Sequence, residues 1–208
     1  MAWRIYKDIS EPEDSKEKSL RWCVIHTKDS DKILKPLIVI GINPSGKSLK
    51  DDNGNDVFSR TAIRLHAIAD ESGKGFDSIF LFNVTPAVDV SASDLATRAD
   101  LAEHNDKNIE VIKSVLDEYQ LDGTPVLLCF GNTIRKIGRN PEMKDVLYNI
   151  LHNILHIDSL DGRCCYSLGP LTGKGCPRHP LFNKHTDLRE IKVTWDESGL
   201  PEFENLQK

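Results

Sequence analysis

The 208-residue chain has no run of apolar residues approaching the roughly 20 that a membrane-crossing helix needs, so no membrane partner is expected. No apolar core lies near its start, MAWRIYKDISEPEDSKEKS, and a secretory leader is therefore not expected. The five cysteines (Cys23, Cys129, Cys164, Cys165, Cys176) include no C-x-x-C pair and are odd in number. That spacing excludes a zinc knuckle or iron–sulfur cluster and argues against a disulfide framework, leaving a reducing, cytoplasmic setting as the expectation. The glutamate of an H-E-x-x-H zinc motif is missing as well: His152 and His156 stand one helical turn apart with Ile154 and Leu155 between them. No metal and no other cofactor is expected. Nor is there a basic excess, since 27 Lys and Arg against 32 Asp and Glu leave a formal net charge of −5. This excludes a chain coated in positive charge for wholesale nucleic-acid binding. Internal repeats and low-complexity linkers are absent, so one domain over 1–208 is expected, with 1–19 and 196–208 peripheral.

Acidic residues are missing locally from two segments. Residues 170–186 carry Lys174, Arg178 and Lys184, and residues 131–139 carry Arg135, Lys136 and Arg139, with no Asp or Glu in either. A charge cluster of this kind is most often a solvated face.

Continuous apolar runs predict buried strands at LIVIGI (37–42), SIFLFNV (78–84), VLLCF (126–130) and CCYSLG (164–169), and LRWCVIH (20–26) reads as a short strand at a sheet edge. Helical spacing predicts helices over 58–72, 105–119 and from Asn140-Pro141, a cap followed by a first-turn proline, to about His156. The alternation predicts a three-layer α/β/α sandwich around a central, mainly parallel four-stranded sheet. In such sheets ligands bind outside the carboxyl ends of the strands.

The first strand runs into GINPSGKS (41–48), which satisfies the G-x-x-x-x-G-K-S spacing of a phosphate-binding loop. That loop should open a helix at its lysine and serine, yet LKDDNGNDVF follows, with Asn-Gly and three aspartates. Magnesium would also need an acid at a neighbouring strand end, where Asn83, Gly131 and Gly169 stand instead. An NTPase or kinase is thus the third reading.

Four strand-end loops occur in order: GINPS, FLFNVTPA, CFGNTIRKIG and the loop reaching PRHPLF. Together they resemble the uracil-DNA glycosylase superfamily, whose mismatch-specific branch carries G-I-N-P at the first strand end. The P-R-H-P-L-F ending, with INPS and HND (104–106), is similar to a bacterial and phage family of unknown function. The resemblance implies a nucleobase-recognising protein, an N-glycosidic bond hydrolase acting on DNA or a nucleotide, with the target nucleotide swung into a pocket. It implies that His179 stabilises charge on the departing base and that Asn43 holds the attacking water. Asn83 would read the base edge, its amide offering donor and acceptor. Gly41, Ile42, Pro44 and Ser45 would line the sugar, Phe58 would pack on the base, and Gly131 and Asn132 would flank it. After Pro180 of the same loop, Leu181 or Phe182 would wedge into the vacated stack, and Arg178, Lys174 and Lys184 would hold phosphates. Two departures stand out: Leu181 follows Pro180 where the superfamily usually has a serine, and Ser45 replaces a glycine. Asparagine at position 43 cannot accept a proton, which implies slow, water-positioning chemistry.

Plainer readings stand beside these. Asn43 and Asn83 could cap turns, and His179, between two prolines, could bond backbone alone. Cys176 shares the loop of His179, but no third group is in place to orient a Cys–His nucleophile. The alternative function is a non-catalytic nucleobase- or nucleotide-binding protein on the same fold.

Overall fold

The apolar run at 37–40 forms the middle of a wide sheet in the computed structural model, which describes residues 2–11, 20–28, 32–44, 49–50, 56–88, 91, 94, 103–155 and 163–206. In chain order the strands and helices begin β1 (Arg4–Glu11), β2 (Leu20–Thr27), β3 (Pro36–Gly41), β4 (Leu49–Lys50), β5 (Asp56–Val57), α1 (Arg60–Glu71) and β6 (Ser78–Asn83). They continue α2 (Asn105–Glu118), β7 (Val126–Leu128), α3 (Ile134–Ile137), α4 (Pro141–Leu155), β8 (Cys165–Leu168), β9 (Leu188–Trp195) and β10 (Pro201–Asn205).

The main sheet has the order β1-β2-β6-β3-β7-β8-β9-β10, and β4 and β5 pair separately. The expected four-stranded, mainly parallel sandwich is not what forms. Eight strands make the sheet, and four of its seven pairings are antiparallel: β1 with β2, β2 with β6, β8 with β9, and β9 with β10. The parallel pairings are those of β3 with β6 and β7, and of β7 with β8. The reason for the difference is physical. Central strands buried on both faces read as continuous apolar runs, whereas outer strands show one face to water and alternate. β9 does so plainly, with LREIKVTW burying only Ile191 fully. Its hairpin to β10 closes on Asp196, whose Oδ1 accepts from the backbone N–H groups of Ser198 (2.9 Å) and Leu200 (2.8 Å).

The pleat sends alternate side chains to two cores. Leu37, Val39, Ile79 and Leu127 meet Leu65, Ile68 and Ala69 of α1 on one face. Ile38, Ile40, Phe80, Phe82 and Leu128 meet Ile112 and Val115 of α2 and Leu147 and Ile150 of α4 on the other. Burying a side chain such as Phe80 contributes about 1.5–3 kcal/mol before cavity terms. α1 starts where Ser59 accepts from the N–H of Ala62 (3.2 Å). α4 starts where Asn140 Oδ1 accepts from the N–H of Met143 (3.5 Å), the capping its Asn-Pro dipeptide predicts. Segments 4–11 and 201–205, read as peripheral, are the two edge strands. Among the described residues no helix is long and apolar enough to cross a membrane.

Candidate functional site

β6, β3 and β7 lie side by side and run parallel, so their carboxyl ends open on the same rim. Gly41 ends β3 and pairs with Asn83, which ends β6. Both are placed by alternation on the α1 face, because their chain neighbours Ile40 and Phe82 point into the other core. The contact between them is tight. A Cβ added at Gly41 would stand 2.6 Å from Asn83 Oδ1, so only glycine leaves room for that amide. Beyond the strands the two chains stay together, with Val84 N–H donating to Gly41 O (3.1 Å) and Thr85 N–H to Ile42 O (2.9 Å). Ile42 and Pro44 are buried in this turn and Asn43 is half-buried. Ser45 and the Gly46-Lys47-Ser48 end of the phosphate-loop pattern lie outside the described residues, as do His156 and the side chain of Asp56.

A residue that the strand-end reading passed over secures Asn83. Asn108, one turn into α2 and fully buried, donates through Nδ2 to the carbonyls of Asn83 (3.0 Å) and Val84 (3.3 Å). Two carbonyl partners fix which way this amide points. They also leave its buried Oδ1 without a partner among the described residues. Its signal was a polar residue inside the apolar stripe of Ile109 and Ile112.

The third strand end receives the His-Pro loop. Gly131 adopts φ +60°, and a Cβ there would meet His179 Cβ at 3.1 Å. Gly131 N–H donates to Pro177 O (2.9 Å), stitching the loop after β8 to the end of β7. β7 ends at Leu128, level with Ile40 of β3, and Gly131 opens a 3-10 turn three residues further on. His179 is half-buried and caps a 3-10 turn over Pro180–Phe182, its Nδ1 accepting from Leu181 N–H at 3.2 Å. Burial lowers its pKa below the ordinary imidazole value. A neutral ring accepting at Nδ1 carries its proton on Nε2, a hydrogen-bond donor.

The remaining predicted residues divide between bracing and rim. Arg178 braces its own loop, Nε donating to Pro170 O (2.6 Å) and Nη2 to Leu171 O (3.4 Å). Asn132 Oδ1 accepts from Thr172 Oγ1 (2.8 Å), and Thr172 Oγ1 accepts from the N–H of Cys176 (3.1 Å). Arg135 of α3 donates to Lys174 O (2.8 Å), which brings the two acid-free basic segments of the sequence together. Arg135, Lys136, Arg139, Lys174 and Lys184 are exposed, and so is Leu181. From the opposite side Arg64 of α1 donates to the carbonyls of Asn183 (3.1 Å) and His185 (3.1 Å), holding the chain beyond Leu181.

Phe58 packs against two histidines. Its ring lies 4.5 Å from that of His66 and 5.5 Å from that of His26, which pairs with Ile79 near the start of β6. His66 Nε2 and His26 Nδ1 are hydrogen-bonded at 3.1 Å, and Trp3 stacks on His66 at 4.6 Å. Burial first, then the neighbouring imidazole, lowers the pKa of His66; burial lowers that of His26. Elsewhere His152 stacks on Tyr148 at 5.4 Å. Among the described residues no three His, Cys, Asp or Glu side chains gather as a metal site.

No curated protein and no solved structure matches the chain. A family model described as "Protein of unknown function (DUF1643)" matches residues 21–181, which include Gly41, Asn83, Asn108, Gly131 and His179, and the chain belongs to that family.

Proposed function

We propose that this protein recognises a nucleobase at the carboxyl ends of β6, β3 and β7 and hydrolyses its N-glycosidic bond, in the manner of the uracil-DNA glycosylases. The observation that carries the reading is the apposition at Gly41: a buried carboxamide, Asn83, fills the space a side chain would take. Asn83 offers a donor and an acceptor to the edge of a heterocycle. On the loop docked against Gly131, His179 presents a neutral imidazole whose Nε2–H can donate to a base oxygen as negative charge builds there. Asn43, on the turn between them, holds water beside the sugar. The joined basic segments give the rim cations without acids, suited to phosphates on either side of an extruded nucleotide. Arg178 serves this by holding the loop, and Lys174 stands exposed on it.

The test is an abasic-site assay on single-stranded and duplex DNA carrying uracil, hypoxanthine or a mismatch, with calorimetric titration of free bases in parallel. Strand-cleavable abasic sites are expected, reduced about 100-fold or more in His179→Ala, because a preorganised donor to developing charge is worth about that much. Base binding without abasic sites would leave a non-catalytic binder on the same rim. Neither binding nor abasic sites would end the reading.

A further inference from the structure

Resting on that reading, we infer that Asn108 is a positioning residue that sets base selectivity: it fixes which end of the Asn83 carboxamide faces the ligand. The two ends of a carboxamide are alike in size, and a half-turn exchanges donor for acceptor. An asparagine free to make that turn would take a base edge with N–H beside C=O and one with NH2 beside a ring nitrogen about equally. Choosing between them needs the amide held one way.

Two contacts hold it. The first is Gly41: Asn83 Oδ1 lies in the direction a Cβ would project, 2.6 Å from where that carbon would stand. Glycine has only a C–H there, a weak donor that suits an oxygen and offers nothing to an NH2 group. That preference lasts only while the backbone of Asn83 keeps its side chain against β3. The β2 ladder does not supply this hold. Its last pair toward the rim is Cys23 with Phe82, and the next bond, from Arg21 N–H, goes to Pro86 O (2.8 Å). Between these points Asn108 takes over, its Nδ2 donating to the carbonyls of Asn83 (3.0 Å) and Val84 (3.3 Å). Toward β3 the same segment is tied by Val84 N–H to Gly41 O and Thr85 N–H to Ile42 O. Asn108 is fully buried, and α2 carries it on the helix whose Ile112 and Val115 pack into the core, so the donor itself is fixed.

The experiment compares uracil with cytosine, alike in size and opposite in that edge, by calorimetric titration. Asn108→Ala should bring the ratio of their affinities about fivefold closer to one, within the worth of one hydrogen bond. Asn108→Ser keeps a hydroxyl donor for one carbonyl, so its ratio should fall between those of the wild type and Asn108→Ala, and it carries the test if the alanine variant does not fold. Ile112→Val, one turn further along α2 and also buried, measures loosening alone. It should lower the urea midpoint and leave the ratio unchanged. If the wild type discriminates and the Asn108 variants keep its ratio, or if Ile112→Val shifts the ratio as much, the inference falls and the reading of the Asn83 rim stands. A wild type that binds both bases equally ends the inference in the same way. If no base binds at all, both fall.

Discussion

Two polar groupings lie at opposite ends of β6, and they are treated in opposite ways. At the His26 end the groups satisfy one another. His26 bonds His66, Trp3 Nε1 donates to Asp70 (3.2 Å), and Lys28 pairs with the same carboxylate at 2.6 Å. At the Asn83 end, Asn108 donates to the Asn83 carbonyl while its own buried Oδ1 has no partner among the described residues. Burying a polar group without a partner is costly, so a closed network reads as structure and an open one as a place kept for something else. By that measure the histidine pair is a fastening between α1 and the sheet, and the Asn83 end is the site.

Acid should break the first cluster with the largest effect. Both imidazoles have lowered pKa values in the fold, so the unfolded chain binds more protons once the pH drops below the ordinary value of about 6.5. Stability is therefore fully present above that pH and is lost as it falls toward the lowered values, by up to about 1.4 kcal/mol per pH unit for each proton taken up. Urea midpoints between pH 4.5 and 8 should show this fall, and His66→Gln, which keeps a hydrogen-bonding group, should flatten it. An unchanged slope in the variant would mean that other groups carry the acid sensitivity.

Gly41→Ala tests the second cluster. The added methyl must displace the Asn83 amide, so nucleobase binding should drop at least tenfold, with a stability loss of about 1–3 kcal/mol from overpacking. Native affinity in a folded Gly41→Ala protein would show that Asn83 does not read the ligand. Asn108→Leu should have a smaller effect. It strips the carbonyls of Asn83 and Val84 of their side-chain donor at a cost of about 1–3 kcal/mol, offset in part because the orphaned Oδ1 goes with it. Chemical denaturation measures the balance, and a cost no larger than that of an exposed substitution would place Asn108 outside the support of the site.

The legible part of the fold was its interior. LIVIGI, SIFLFN and VLL are continuous apolar runs because parallel strands are covered on both faces, and the helices showed their period for the same reason. Of the outer strands, β1, β9 and β10 were missed because solvent lets their polar residues stay, which weakens the pattern, and β2, expected at a sheet edge, is covered by β1. Of the site, the strand-end residues could be read in order, but Asn108 looked like part of a helix. Phe58, the aromatic that the resemblance would set on the base, packs its ring against His26 and His66. Arg178 looked like a phosphate ligand, and its guanidinium is turned to the carbonyls of its own loop.

Alone, the amino-acid order determined where apolar runs and turns lie and which polar residues end the central strands, since periodicity and turn chemistry act over a few neighbours. Only the tertiary structure decided the eight-strand sheet, the contact of Gly41 with Asn83, the docking of His179 on Gly131 and the unmet Oδ1 of Asn108. Those depend on which distant segments exclude water together, and hydrogen bonds that are never made leave no mark in a sequence.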